Sequence, residues 1–160
     1  MNPEKSEPQG PSESRMNAAT QALRTEPSNP PFVYQHHAFH MEWKPVEQVI
    51  FVAFTGTYDQ ESAMSFREAY HALVQSMPET EVFDFLVDAS QMQTITIDSR
   101  KTSIETAKHP QFRRMALWGL NTVLRAALAF IMMAVGKRDE VRICKNREDA
   151  LQWLETKRSV

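Results

Sequence analysis

Residues 114–135, RMALWGLNTVLRAALAFIMMAV, constrain this chain more than any other stretch. They form its longest apolar run, and how that run folds separates a membrane protein from a soluble one. Roughly twenty apolar residues cross a bilayer, so length alone would allow a span. Arg125 stands in the middle, however, where a charge costs about 2.5–3.5 kcal/mol on insertion. Asn121 and Thr122 add polarity, and Gly119-Leu120-Asn121 divides the run into a short strand-like piece and a helix. In the second piece Leu120, Leu124, Ala127, Leu128, Ile131 and Val135 recur at the spacing of one helical stripe. Asn121, Thr122, Arg125 and Ala129 fall on the other side. The run predicts a buried strand, turn and helix, and no membrane span.

A chain of 160 residues with 42% hydrophobic and 24% charged side chains can bury one core, and the remainder is a tail. Its net charge of −2 supplies no whole-chain attraction to nucleic acid or to an anionic membrane. A single cysteine, Cys144, excludes an internal disulfide, suits a cytoplasmic location and argues against a cysteine-based zinc site. The polar N-terminus has no signal-peptide pattern. Six of the nine prolines fall in residues 1–31, where large apolar residues are nearly absent. Ordering that segment would cost backbone entropy with little burial to offset it, so a disordered leader is expected, followed by a domain over residues 32–157.

Within the domain, residues 33–43 read as one irregular strand, with His36, Ala38, His40 and Glu42 on one face and His37, Phe39, Met41 and Trp43 on the other. Lys44-Pro45-Val46-Glu47 makes a turn into a central strand over residues 48–55, containing VIFVAF. Thr57 or Asp59 caps a helix with the stripe Ala63, Phe66, Tyr70, Leu73, Val74 and Met77, stopped by Pro78. A third strand covers residues 82–88, VFDFLVD, then a polar loop covers 89–97. A weaker helix covers 98–108, with Ile104 and Ala107 inward. The fourth strand, residues 114–118, leads into the helix described first, and Gly136 ends it. A short strand over 140–144 and a helix capped by Asn146, with Ala150, Leu151, Trp153 and Leu154 buried, complete the chain. The fold expected is α/β: a single domain with a mixed, mainly parallel sheet covered by helices, in the order β-β-α-β-α-β-α-β-α.

Three stretches give this order a likeness: FLVDAS ending the third strand, the helix NTVLRAALAFIMMA, and the closing VRICKNREDALQWLE. Over about residues 32–155 the chain resembles the STAS-like superfamily, in particular the SpoIIAA-like proteins with a STAS/Sec14-type domain. That resemblance implies a bacterial, non-catalytic regulatory module without a cofactor. It would bind a protein partner or a second copy of itself through the surface of helix 120–135, or take a lipid or other small apolar ligand. The residues expected to serve binding are Asp88, Ser90, Trp118, Asn121, Arg125, Met132 and Met133. In the anti-sigma-factor antagonists a phosphorylated serine opens the helix after the third strand. Asp98-Ser99 echoes it, but Arg100 and Lys101 replace the small residues expected there.

The residues themselves offer little chemistry. His36 and His40 would lie about 13 Å apart on a strand, too far to share a zinc ion, so no metal site is expected. Asp84 and Asp88 have the same spacing on one strand face, which rules out an acid/base pair of the glycosidase kind. Asp88 ends a buried strand, where open α/β sheets gather ligands, although a carboxylate there also serves to hold loop N–H groups. No Gly-rich phosphate loop or nucleophile elbow is present, and no enzyme is expected. Lys108, His109, Arg113 and Arg114 read as a solvated basic loop. Met132 and Met133, beside Ala126 and Ala129, read as an adaptable outer surface of the long helix.

Overall fold

The computed structural model describes residues 32–158, and the expected leader lies outside the described residues. Strands β1 (Val33–Gln35), β2 (Phe39–Lys44) and β3 (Val49–Tyr58) are followed by α1 (Gln60–Gln75), β4 (Phe83–Ile95) and α2 (Ile97–Ala107). Strand β5 (Phe112–Trp118), α3 (Thr122–Val135), a 3₁₀ turn (Arg138–Glu140), β6 (Val141–Ile143) and α4 (Arg147–Arg158) complete them. The six strands lie side by side in sequence order. β2 runs antiparallel to both β1 and β3, and β3 through β6 are parallel. This is the mixed, mainly parallel α/β sheet expected from the sequence.

Side-chain alternation sends each strand's residues to two cores. Ile50 and Val52 of β3, Phe83, Phe85 and Val87 of β4, and Phe112 and Leu117 of β5 face α1, α2 and α3. Val49, Leu86 and Ala116 face the other way, where Ala150 and Leu154 of α4 cover them. Three helices thus share one face, and a single helix covers the other. The stripe of α3 is seated as its spacing requires, with Leu124, Ala127 and Ile131 buried. Caps fix the helix ends. Asp59 accepts from Ser62 N at 2.9 Å, and Asn146 accepts from Asp149 N at 2.9 Å. Such caps stabilise a helix by about 1 kcal/mol each. Gly136, at φ 73°, closes α3 in the left-handed conformation that only glycine adopts cheaply.

Two local expectations are corrected. The first strand is two, because the chain bends at His36–Ala38 and pairs β1 back on β2. The polar loop after residue 88 is instead the second half of β4, which runs on to Ile95 beside β3. Pairing with β3 supplies the backbone partners, and Ile95 supplies the burial that the polar side chains lack. In α2 Ile104 and Ala107 pack against the core as expected, and Ser99, Thr102 and Thr106 are buried beside them. Hydrogen bonds satisfy these buried hydroxyls. Ser99 Oγ donates to Tyr58 O at 2.9 Å, and Thr102 pairs with Gln60 of α1 at 3.3 Å.

Candidate functional site

Between the sheet and helices α2 and α3 lies a cavity of about 140 Å³. Its floor is the inner face of β3, β4 and β5, including Val52, Phe85, Val87, Met115 and Leu117. Its roof is the buried stripe of α3, including Leu124, Ala127, Leu128, Ile131 and Met132, and Phe66 of α1 closes one side. None of the lining residues carries charge, and only Tyr58, Ser103 and Thr106 bring a side-chain oxygen. Burial pushes the Tyr58 phenol well above its ordinary pKa, so it is neutral at any physiological pH. The void is close to the engineered cavity of about 150 Å³ that stays dry and takes benzene.

Leu124, Ala127, Ile131 and Met132 of α3 are buried along this lining. Met132 therefore belongs to this interior. It is 4% exposed, against the expectation that it shares the outer surface with Met133. Its position four residues after Leu128 keeps it on the edge of the buried stripe. Met133 is 71% exposed and forms an outer row with Val123 and Phe130.

Four of the sequence-predicted residues, Asp88, Ser90, Trp118 and Asn121, meet where the middle of β4 passes the carboxyl end of β5. Asp88 lies between Ala53 and Trp118 in register, and its carboxylate accepts from Ser90 N at 2.9 Å. Gly119 packs on Ser90 so closely that an added Cβ would stand 2.5 Å from the Ser90 backbone. Asn121 caps α3 through Leu124 N at 2.9 Å while its amide donates to Gln93 O at 3.0 Å. These groups clamp the two strands and the start of α3 together. Arg125 is exposed one turn further on and donates to Leu120 O at 3.2 Å. It borders an open cleft shared with Arg138, Arg142 and the edge strand β6. Met133 lies roughly 18 Å along the helix from Asn121, outside this group.

Ser99 is fully buried and its hydroxyl is engaged with Tyr58 O and Thr96 O. The position that echoes a phosphorylated serine is thus closed to a kinase in this fold. The histidine trio also differs from a straight strand. The rings of His36 and His37 lie tilted 37° to each other at 4.1 Å around the bend, and His40 contacts Gln35 at 2.8 Å. Among the described residues no group of three metal-ligating side chains converges.

Sequence reasoning missed one buried site. Asp84 is wholly buried, and Arg113 donates to both carboxylate oxygens at 2.9 Å while Arg114 approaches at 3.6 Å. Arg113 and Arg114 are therefore strand residues neutralising a buried carboxylate, and the solvated basic loop expected there is corrected. Only the register of β4 on β5, which sets Asp84 opposite Arg114, brings them together.

The sheet order, the helix layers and an apolar chamber under α3 define an α/β binding domain of the STAS type. The SpoIIAA-like family model matches residues 49–155, and the chain belongs to the SpoIIAA-like family. A search of curated proteins finds no match. Among solved structures, the chain is similar to an uncharacterized DUF3478-family protein with a SpoIIAA-like fold from Shewanella loihica PV-4. That pair has a TM-score of 0.52 and 13% identity over 78% of this chain and 92% of that one. A sulfate transporter family protein from Wolinella succinogenes gives a TM-score of 0.50 and 14% identity, covering 71% of this chain and 89% of that one. The murine solute carrier 26 anion transporter Slc26a9 gives 0.55 and 11% identity over 89% of this chain and 24% of its own length. At such identities the likeness is one of fold. Among the described residues, no helix is long and apolar enough to cross a membrane.

Proposed function

We propose that this STAS-type domain is a non-catalytic regulatory module that binds a small apolar molecule in the chamber under α3. The observation that carries this reading is the cavity of about 140 Å³ with no charged residue in its lining. Pockets of this kind, mostly apolar with a few polar groups, are the default ligand sites of folded domains. The volume suits a single ring rather than the acyl chains of a membrane lipid, which narrows the ligand class implied by a Sec14-type relation. The lining holds no charged side chain, histidine or cysteine to act as acid, base or activated nucleophile. Thermal melts in benzene-saturated buffer test the reading. The wild type should gain several degrees, because a ligand that binds only the folded state stabilises it. An Ala127→Phe variant, with the chamber filled, should gain none.

A second reading, docking of a protein partner or a second copy on helix 120–135, is favoured by the outer row of α3. Val123, Phe130 and Met133 are 58%, 52% and 71% exposed. They project from the same helix whose inner side roofs the chamber. A ligand that moves α3 would therefore alter that surface. Pull-down of interacting proteins with and without benzene tests the link, and identical capture in both conditions would remove it.

A further inference from the structure

The chamber's three hydroxyls are not equivalent to three free hydrogen-bonding groups. Ser103 Oγ donates to Ser99 O at 2.9 Å, and Thr106 Oγ1 donates to Thr102 O at 3.0 Å. This is the back-bonding to the preceding turn that serine and threonine adopt within helices. Tyr58 and Ser103 line the chamber together, and with the one Ser103 proton on Ser99 O the phenol is the donor in the hydrogen bond between them. A hydroxyl has one proton and two lone pairs, so groups whose protons turn into the protein present acceptors to whatever lies beside them. No cation or backbone donor in the lining balances those lone pairs, since α2 and α3 use their interior N–H groups along the helix.

We propose that the chamber selects a neutral single-ring molecule carrying one hydrogen-bond donor, an O–H or N–H, directed at the Tyr58–Ser103 pair. The proposal rests on the chamber being a ligand site and adds the chemistry of the ligand. A ring with only an acceptor sets lone pair against lone pair. An anion loses its water and meets neither a donor nor a positive charge. A ring with a donor keeps its hydrogen bond on entry, so its hydroxyl is carried into the interior at little cost.

Calorimetric titration of the full chain at pH 7 with benzene, phenol, pyridine and benzoate tests this. Phenol should bind at least roughly threefold more tightly than benzene, in line with one net hydrogen bond. Pyridine, the same size but acceptor-only, should bind more weakly than benzene, and benzoate should show no heat of binding. Tyr58→Phe combined with Ser103→Ala should remove the preference for phenol over benzene. If the double variant is too unstable to titrate, Ser103→Ala alone must still shrink the preference. Equal affinities of phenol and benzene, pyridine binding as tightly as phenol, or measurable benzoate binding would each overturn the donor rule while leaving a ligand site in place. Failure of all four compounds would overturn the ligand site and the donor rule together.

Discussion

On one face of the sheet three helices lie over Phe85, Val87, Leu117 and their neighbours and leave a chamber. On the other, α4 alone lies over Val49, Leu86 and Ala116, beside the buried Asp84 with its two arginines. Both faces place an alanine at the contact, with opposite results. Ala116 and Ala150, each fully buried, let α4 approach the strands closely. Ala127 is equally small, but it lines the chamber together with the larger Leu124, Ile131 and Met132. A small residue closes a gap where the helix is free to approach and opens one where larger neighbours set the spacing. The α3 face gives up dispersion contacts, and that loss is what leaves room for a guest.

The comparison breaks first at Leu124. Leu124→Asp sets an unpaired carboxylate among apolar groups at a position only 3% exposed, and it should abolish the cooperative unfolding transition seen by circular dichroism. On the opposite face, Asp84→Ala strands the arginines around an empty site. A loss of about 3–5 kcal/mol is expected for breaking a buried pair, and denaturant titration should place it at the low end. Arg113 is about one third exposed there and can turn to water.

Filling the void sharpens the comparison in the other direction. Ala127→Leu should raise stability by about 1 kcal/mol, as cavity-filling changes commonly do, where a comparable enlargement of Ala116 under α4 should lower it. The smallest effect belongs to the outer side of α3. Met133→Glu should leave stability within about 0.5 kcal/mol of wild type, while light scattering reports loss of a dimer or partner complex if that surface docks one. An unfolded Met133→Glu variant would contradict its assignment to the surface.

Much of this architecture is legible in the residues because local rules and burial agree. The β-branched run of β3, the α3 stripe, and the caps at Asp59, Asn146 and Gly136 each specify their own element. What was hidden depends on distant partners. The bend at His36–Ala38 carries no Gly or Pro, and the second half of β4 has a loop's composition but a strand's neighbours. Met132 was misplaced because a stripe drawn through its centre alone is narrower than the face a helix buries. Asn121 could be picked out as a helix-start residue, whereas Asp88, expected at a strand end, lies inside β4; the polar atoms of both are engaged in clamping the fold. The chamber left no sequence signal, since a void is set by the spacing of four packed elements and no residue type encodes it.

The central claim is that the inner side of α3 receives a guest and the outer side does not. Methyl-resolved nuclear magnetic resonance during a benzene titration tests it most directly. The account predicts saturable shifts at the methyls of Leu124, Leu128, Ile131 and Met132, with Val123 and Met133 shifting far less. Shifts confined to Val123 and Met133, or no saturable shift at the inner methyls, would contradict it.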